Sequence, residues 1–216
     1  TTPTLAAAPC QASTLAAAAT SPVIASPPAP THTRIVCISD THGQHRQLTM
    51  PPGDVLIHAG DFTSYAKQAD VVDFNAWLGT LPYRHKLIVL GNHEANAEWV
   101  ESAAKLLSNG VLLCHRGIGL DTGSGGEPLS VFGTDFFWPA GAGAWAPPYG
   151  AVPTGIDVLI AHGPCEGHVD GGNGCAALLE HVRRVRPRLV VCGHIHEARG
   201  VVRGQGAGLD GVLFVN

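Results

Sequence analysis

Charged residues are scarce in this chain of 216 residues, and long apolar runs are missing. Only 14% of the residues are Asp, Glu, Lys or Arg, and the net charge of -4 leaves no general basic surface for a nucleic-acid polymer or an anionic membrane. No apolar run approaches the ~20 residues that cross a bilayer. We therefore expect no membrane and no nucleic-acid polymer as partners, and the 45% of apolar residues suffice for a buried core.

Cysteine spacings typical of zinc sites or redox motifs are also missing. Six cysteines are present, with no CxxC pair. Cys37, Cys114 and Cys192 fall inside apolar, strand-like runs, which predicts buried, reduced thiols. Cys165 is interpreted as a loop thiol that could sense oxidation if exposed. Reduced thiols favour a cytoplasmic protein.

Charge is absent altogether from the first 33 residues, which are mainly Ala, Thr, Ser and Pro. Such a segment cannot offset its ordering entropy by burial, so we predict a disordered tail over 1–33 and one domain over 34–216. The tail has neither the Arg of a transit peptide nor the basic start and apolar core of a secretory signal.

From Arg34 onward, short apolar runs alternate with longer amphipathic ones, which is the pattern of βαβ units. The predicted strands are Ile35 to Ser39, Val55 to His58, Leu87 to Leu90, Val111 to His115, Leu129 to Gly133, Val158 to Ala161, Leu189 to Cys192 and Val212 to Val215. The predicted helices are Ala69 to Leu78, Asn96 to Ser108 and Gly174 to Arg186. Near-continuous apolar strands indicate an α/β fold with the sheet covered on both faces.

Five polar clusters each follow a strand-like run: Asp40-Thr41-His42, Gly60-Asp61, Gly91-Asn92-His93-Glu94, Ala161-His162-Gly163 and Gly193-His194-Ile195-His196. In α/β folds, ligands collect beyond the carboxyl ends of the strands, so the clusters are predicted to form one site at a sheet edge. A group of His, Asp and Asn donors is typical of a metal site, here with two ions rather than one. The candidate ligands are Asp40, His42, Asp61, Asn92, His162, His194 and His196.

Spacing and residue type suggest what these donors do. Asp40 and His42, two residues apart at a strand exit, can hold one face of a cation, and His194 and His196 repeat that arrangement. Gly193 is interpreted as allowing the backbone a tight turn before them.

The charge balance of the clusters points to an anionic ligand. The Asp61 carboxylate can bridge two ions, whereas the amide of Asn92 adds a ligand without adding charge. Two divalent ions set against the carboxylates of Asp40 and Asp61 leave a net positive centre, which suits phosphate. Mixed His, Asp and Asn ligation without Cys suits Mn, Fe or Zn, and it suits Mg less because so many of the ligands are imidazoles. We expect Mn to support activity in vitro.

The five clusters, taken in order as Asp-x-His, Gly-Asp, Gly-Asn-His-Glu, His-Gly and Gly-His-x-His, resemble the signature of the calcineurin-like metallophosphoesterases. The resemblance covers Arg34 to Asn216. The segments 39–43, 59–63, 160–164 and 186–189 more narrowly resemble the MPPED-type branch, which is related to class III cyclic-nucleotide phosphodiesterases. The resemblance implies a four-layer α/β/β/α sandwich with a dinuclear metal site at the C-terminal edges of the strands.

The resemblance also implies how the ligands divide. One ion would take Asp40, His42, Asp61 and His196, and the other would take Asp61, Asn92, His162 and His194. His93 would sit over the phosphate as an electrostatic stabiliser or as the proton donor to the leaving group. Together with Asn92 it is the candidate catalytic group. The expected mechanism is in-line attack on phosphorus by a metal-bridging hydroxide.

Three functions remain open from the sequence. The first is a phosphodiesterase acting on nucleotides such as cyclic nucleotides, the second is a phosphomonoesterase or protein phosphatase, and the third is a nucleotide-binding scaffold of low activity. Against the third, the sequence keeps all the ligands and the His of Gly-Asn-His. The oligomeric state is open.

Two departures from the family pattern affect these expectations. Many members carry a second acid in a Gly-Asp-x-x-Asp block, where it supports the catalytic His, but position 64 is Ser here. The chain also stops at Asn216, short of where the family completes its last strands, so it is either a fragment or a domain whose sheet ends early.

The other histidines and the aromatic residues have structural interpretations. His58 lies inside an apolar strand and is predicted to be a core histidine. Five others are assigned to the surface or to loops: His45, His85, His115, His168 and His181. The stretch from Phe136 to Tyr149 is either a wall that stacks on a nucleobase or the packing of a long loop.

Overall fold

The computed structural model of the protein describes residues 32–123, 126–134, 148–206 and 208–216. Residues 1–31 of the predicted tail and residues 136–147 of the aromatic stretch lie outside the described residues. The strands are β1 (Ile35–Ile38), β2 (Val55–His58), β3 (His85–Ile88), β4 (Val111–Leu112), β5 (Arg116–Leu120), β6 (Leu129–Gly133), β7 (Val158–Ile160), β8 (Leu189–Val191), β9 (Val201–Arg203) and β10 (Leu213–Val215). The α-helices are α1 (Gln68–Thr80), α2 (Asn92–Ala95), α3 (Ala103–Leu106) and α4 (Ala176–Val185).

The strands form two sheets. The first has the order β1-β2-β3-β4, and all its described pairs are parallel. The second has the order β5-β6-β7-β8-β10-β9, in which the four central strands are parallel and the two edge strands, β5 and β9, are antiparallel to their neighbours. Parallel pairing brings the carboxyl ends of the central strands to the same side of each sheet.

Three apolar clusters show that the sheets pack face to face between helical layers. Val55 and Ile57 of β2 join Val158 and Ile160 of β7 in a cluster between the sheets. Leu56, which points to the opposite face of β2, packs instead with residues of α1 and α3. Residues of α4 cover the outer face of the second sheet. The predicted four-layer α/β/β/α sandwich is therefore confirmed.

The helices confirm two predictions and correct a third. α1 buries Val71, Phe74 and Leu78, and α4 buries its predicted apolar stripe. The predicted helix from Asn96 to Ser108 is wrong, because this region contains a 3-10 turn over Val100–Ser102 followed by the short α3. Its buried residues include Ala97 and Trp99. Two residues this close in sequence lie on opposite faces of an α-helix, so one continuous helix could not bury both.

The edge strands β5 and β9 were not predicted. β5 contains two glycines, and its residues alternate only weakly between buried and exposed positions. All three residues of β9 are exposed. The predicted strand from Val111 to His115 ends early at Leu112. Cys114 therefore lies beyond β4 and is exposed, contrary to the expectation of a buried thiol. Cys165 is buried, along with Cys175 and Cys192, whereas Cys37 is half-buried.

Two histidine assignments have different outcomes. His58 is fully buried in β2, as predicted. His45 was assigned to the surface but is only 1% exposed, because its ring packs beside Phe74 and Trp77 while Nε2 lies 3.0 Å from an oxygen of Asp73.

Among the residues that the structure describes, no helix is both long enough and apolar enough to cross a bilayer.

Candidate metal centre

The polar loops after β1 and β2 run side by side beyond the ends of their strands. The backbone N–H groups of Asp40, His42 and Gly43 donate to the carbonyls of Gly60, Asp61 and Phe62 at 2.9, 3.0 and 2.9 Å, respectively. Strand-like pairing thus continues past the sheet and holds the two loops in register. The sequence-predicted residues Asp40, His42 and Asp61 are brought together in this way.

The backbone at several candidate ligands is left-handed. Asp40, His42, Asp61 and His194 have φ angles of 53°, 43°, 56° and 70°, respectively. Residues other than glycine seldom adopt this conformation, which costs each of them roughly 1–2 kcal/mol. Such strain clusters at functional sites, where the surrounding structure enforces it.

Glycines beside the ligands provide space. A Cβ on Gly91 would overlap the Asp61 carboxylate, and one on Gly193 would overlap the Asp40 carboxylate. The backbone turns tightly at Gly193, as interpreted, because its carbonyl accepts the N–H of Ile195 at 2.8 Å, although the positive φ of this turn is at His194 and not at the glycine. It is needed because the Asp40 loop comes too close for any side chain.

One group of candidate ligands consists of Asp40, His42 and His196, whose ligand atoms all lie within 4.8 Å of one another. Nε2 of His196 is 3.4 Å from Oδ1 of Asp40 and 3.4 Å from Nε2 of His42. The backbone N–H of His194 donates to both oxygens of Asp40 at 3.1 and 3.0 Å, which fixes the carboxylate.

A second group consists of Asp61, His162 and His194, again with ligand atoms within 4.8 Å of one another. Nε2 of the buried His162 is 3.3 Å from Oδ2 of Asp61 and 3.1 Å from Oδ1 of Asn92. Nδ1 of His162 lies 2.7 Å from the carbonyl of Ala59. Donation to that carbonyl puts the proton on Nδ1 and leaves Nε2 as the ligand atom.

A third group consists of His42, Asp61 and His93, and its ligand atoms also lie within 4.8 Å of one another. It shares His42 with the first group and Asp61 with the second. The structure therefore brings together Asp40, His42, Asp61, Asn92, His162, His194 and His196, together with His93, at the predicted sheet edge.

Electrostatics favour a charged Asp61. Burial alone would raise the pKa of this carboxyl, but the hydrogen bond and charge of His162 and the backbone N–H of His93 outweigh burial and lower it. Burial lowers the pKa of His194, and the neighbouring His162 lowers it further. Burial also acts to lower the pKa of His162, but Asp61 and Asp40 reverse the direction and raise it. Because an anion and a neutral imidazole are the forms that coordinate a divalent cation, a bound ion would displace any proton from His162 Nε2.

His93 is held differently from the candidate ligands. Its Nδ1 is hydrogen-bonded to the backbone carbonyl of Ser64, and its Nε2 lies 3.8 Å from Oδ2 of Asp61. The hydroxyl of Ser64 donates to the carbonyl of His42 at 2.6 Å. A backbone carbonyl thus orients His93 where many relatives of this signature use a second acid.

Glu94 belongs to the third polar cluster, but its role in the site was not predicted from the sequence. It is fully buried, and its two oxygens accept the backbone N–H groups of Asp61, Thr63 and Gly91, each at 2.9 Å, and the Thr63 hydroxyl at 2.7 Å. Burial is the largest influence on Glu94 and raises its pKa. Its position three residues after Gly91, at the start of α2, was the available signal, since a Glu there commonly caps a helix.

A buried hydrogen bond connects the Asp40 loop to strand β2. The hydroxyl of Thr41 is 3.0 Å from Nε2 of His58, and both residues are buried. Burial lowers the pKa of His58 to about 3, so the imidazole is neutral. Among the described residues, His58 Nδ1 has no hydrogen-bond partner.

The donor set fits divalent metal ions. Imidazole nitrogens and carboxylate oxygens converge, with the backbone of each loop fixed independently of any ion. Several outer contacts, such as Ala59 to His162 and Glu94 to the Asp61 backbone, orient the ligands as is typical of metal sites. Such a centre can bind and polarise a phosphate group.

Comparisons with known proteins agree with this geometry. The family model described as calcineurin-like phosphoesterase matches residues 33–198. Human metallophosphoesterase domain-containing protein 1 is 39% identical over 212 residues, covering 82% of this chain and 64% of the relative. The UPF0046 protein K07C11.7 of Caenorhabditis elegans is 36% identical over 192 residues, covering 78% of this chain and 65% of the relative. The chain thus spans just under two thirds of the length of these relatives.

A solved structure shares the fold at low sequence identity. The protein TT1561 of Thermus thermophilus superposes with a TM-score of 0.59 at 14% identity, covering 85% of this chain and 88% of that one. The family match, the relatives and the gathered donors lead to one conclusion: the chain belongs to the calcineurin-like phosphoesterase family.

Proposed function

We propose that the protein is a phosphodiesterase for small nucleotides, including cyclic nucleotides, that works with two divalent ions. The observation that carries the two-ion scheme is the overlap of three donor groups, because the group with His93 shares His42 with the Asp40 group and Asp61 with the His162 group. A continuous row of donors suits two neighbouring ions better than one.

Each ion would have its own ligand set. Asp40, His42, Asp61 and His196 would hold one ion, and Asp61, Asn92, His162 and His194 would hold the other. When bound, the ions supply an activated water and positive charge for the phosphoryl oxygens. We propose Mn as the ion that supports activity in vitro, with Fe and Zn as the other candidates.

His93 would act on the leaving group. Its Nδ1 is committed to the Ser64 carbonyl, so Nε2 is the atom that faces the centre. Water adds across the P–O bond: the water oxygen bonds to phosphorus and the bond to the leaving oxygen breaks. Nε2 of a protonated His93 gives its proton to the leaving oxygen, and the proton that the water loses passes to solvent, from which His93 is protonated again. The amide of Asn92 would help to orient the phosphate.

The substrate class is part of the proposal. The net charge of -4 gives no support for a nucleic-acid polymer or a membrane as partner, whereas the local positive charge of a loaded centre suits a small phosphoester. A cytoplasmic location is likewise proposed, from a composition that suits a reducing compartment.

Reconstitution with metal tests the function. Metal-stripped protein supplied with Mn should hydrolyse cyclic phosphodiesters faster than phosphomonoesters. Faster turnover of monoesters would favour the phosphomonoesterase, and no hydrolysis with metal bound would favour the nucleotide-binding scaffold.

Substitution of the shared carboxylate tests the ligand sets. We expect Asp61→Ala to lower both bound metal and turnover, the latter by roughly a hundredfold or more. Asp70→Asn on α1 provides a control that removes a carboxylate elsewhere. Full metal content and full turnover in Asp61→Ala would contradict the two-ion scheme.

A further inference from the structure

Tyr65 is an aromatic side chain that lies beside the centre and is left open to solvent. It is 80% exposed, more than any other large apolar side chain among the described residues. Its ring centre lies 6.4 Å from that of His93, and the two rings are inclined by 44°. Covering such a ring with a flat ligand would remove apolar surface from water. Tyr65 therefore has free ring surface next to the proposed catalytic group.

The backbone on both sides of Tyr65 is fixed. The carbonyl of Ser64 binds Nδ1 of His93, and the carbonyl of Ala66 accepts the indole N–H of the buried Trp99 at 2.6 Å. Ala66 is held in the left-handed region with φ of 55°. The position of Tyr65 relative to His93 is thus set by neighbouring backbone groups, although its own side chain packs against little.

A cleft of about 680 Å³ begins at Tyr65. Its lining residues include Lys67, Gln68 and Asn96, whose side chains carry an ammonium group and two amides. The volume lies within the range of sites for small molecules, and groups of this kind can hydrogen-bond a base or a sugar.

The chemistry of the centre indicates which part of a substrate would reach this cleft. In the proposed function, His93 gives its proton to the leaving oxygen, so the leaving group lies on the His93 side. Tyr65, whose exposed ring lies 6.4 Å from that of His93, is on the same side. We propose that Tyr65 and this cleft form a subsite for an aromatic leaving group, whose ring stacks on the tyrosine. The inference rests on the proposed function and adds a requirement for a flat ring on the leaving side, from a nucleobase or from a simple aryl group.

Three phosphodiesters test the subsite in the Mn-loaded protein: 2′,3′-cyclic AMP, bis(p-nitrophenyl) phosphate and the aliphatic glycerophosphoethanolamine. In Tyr65→Ala, we expect kcat/KM for a ring-bearing substrate, relative to the aliphatic one, to fall about tenfold, mainly through KM, because base–aromatic stacking is lost. Tyr65→Phe should restore the ratio, whereas Tyr65→Leu, which is apolar but has no ring, should not. Val72→Ala, at an exposed position on α1, serves as the control and should leave all three rates unchanged.

Failure of the proposed subsite and failure of the proposed function would give different results. An unchanged ratio in Tyr65→Ala, in a protein that turns over the substrates, overturns the subsite and leaves the phosphodiesterase standing. No turnover of any substrate by metal-loaded wild type overturns both. A fall in relative kcat/KM for 2′,3′-cyclic AMP alone supports a subsite that binds a nucleobase. A fall for bis(p-nitrophenyl) phosphate alone supports a subsite that binds a simple aryl group.

Discussion

Acidification should destabilise this protein through His58, a histidine beneath the centre. The side chain is fully buried in β2, and Phe62 and Phe74 pack against its ring. Burial is the main reason that its pKa falls to about 3, with a further contribution from the charge of His162. In the unfolded chain, the same imidazole titrates near its ordinary pKa of about 6.5.

The size of the effect follows from these two values. Between pH 6.5 and pH 3, the unfolded state binds a proton that the folded state does not, so stability falls as the pH falls through this window. One pKa unit corresponds to about 1.4 kcal/mol, so lowering the pH from 7 to 5 should remove about 2 kcal/mol through His58 alone. Above pH 6.5, the contribution of His58 to the free energy of unfolding no longer changes with pH.

Urea unfolding of wild type and His58→Gln, at a series of pH values from 7 to 5 and with EDTA present, measures the effect. EDTA removes metal binding from the pH dependence. We expect the free energy of unfolding of wild type to fall by about 2 kcal/mol more than that of the variant. His181→Gln is the control, because burial also lowers the pKa of His181 but its side chain is only partly buried, whereas that of His58 is fully buried. Parallel pH profiles for wild type and His58→Gln would refute the reasoning.

Two further predictions concern packing around Asp61. Gly91→Ala should lower turnover by about a hundredfold, because the new Cβ would displace the Asp61 carboxylate, and a displacement of about 1 Å costs that much in a catalytic site. Gly150→Ala is a control with open space around it, and equal turnover and metal content in both variants would count against the idea. Glu94→Gln should reduce the free energy of unfolding by about 1–3 kcal/mol, because an NH2 group would face backbone donors of Asp61 or Thr63. An unchanged urea midpoint in Glu94→Gln would contradict this expectation.

The layered fold could be predicted because its strands carry a strong signal. β2 is buried at every residue, and so its apolar run is continuous in the sequence. β9 gives no such signal, because three exposed residues at an edge pair through their backbone with β10. The break in the predicted helix after Asn96 could not be predicted either, because the contacts of Trp99 with Phe62 and with the Ala66 carbonyl join residues more than 30 positions apart.

The candidate ligands could be predicted for a similar reason. Asp40 and Asp61 each follow an apolar run, and the parallel pairing of β1 with β2 brings the ends of those runs together. The role of Glu94 was not readable in the same way, since its partners at Asp61 and Thr63 come from a loop more than 30 residues earlier. Likewise, a sequence shows Ser64 where relatives place an acid, but not that its backbone carbonyl binds His93.

Backbone hydrogen bonds, rather than side chains, hold the loops that carry the strained ligands. Asp40, His42 and Asp61 stay left-handed because the loops that carry them are bonded to each other, and those bonds join backbone N–H groups to backbone carbonyls. A substitution such as Asp61→Asn changes the charge of one donor but leaves the bond from the His42 N–H to the Asp61 carbonyl intact. The loop should therefore hold its shape, so a loss of metal or turnover in that variant would report on the carboxylate itself.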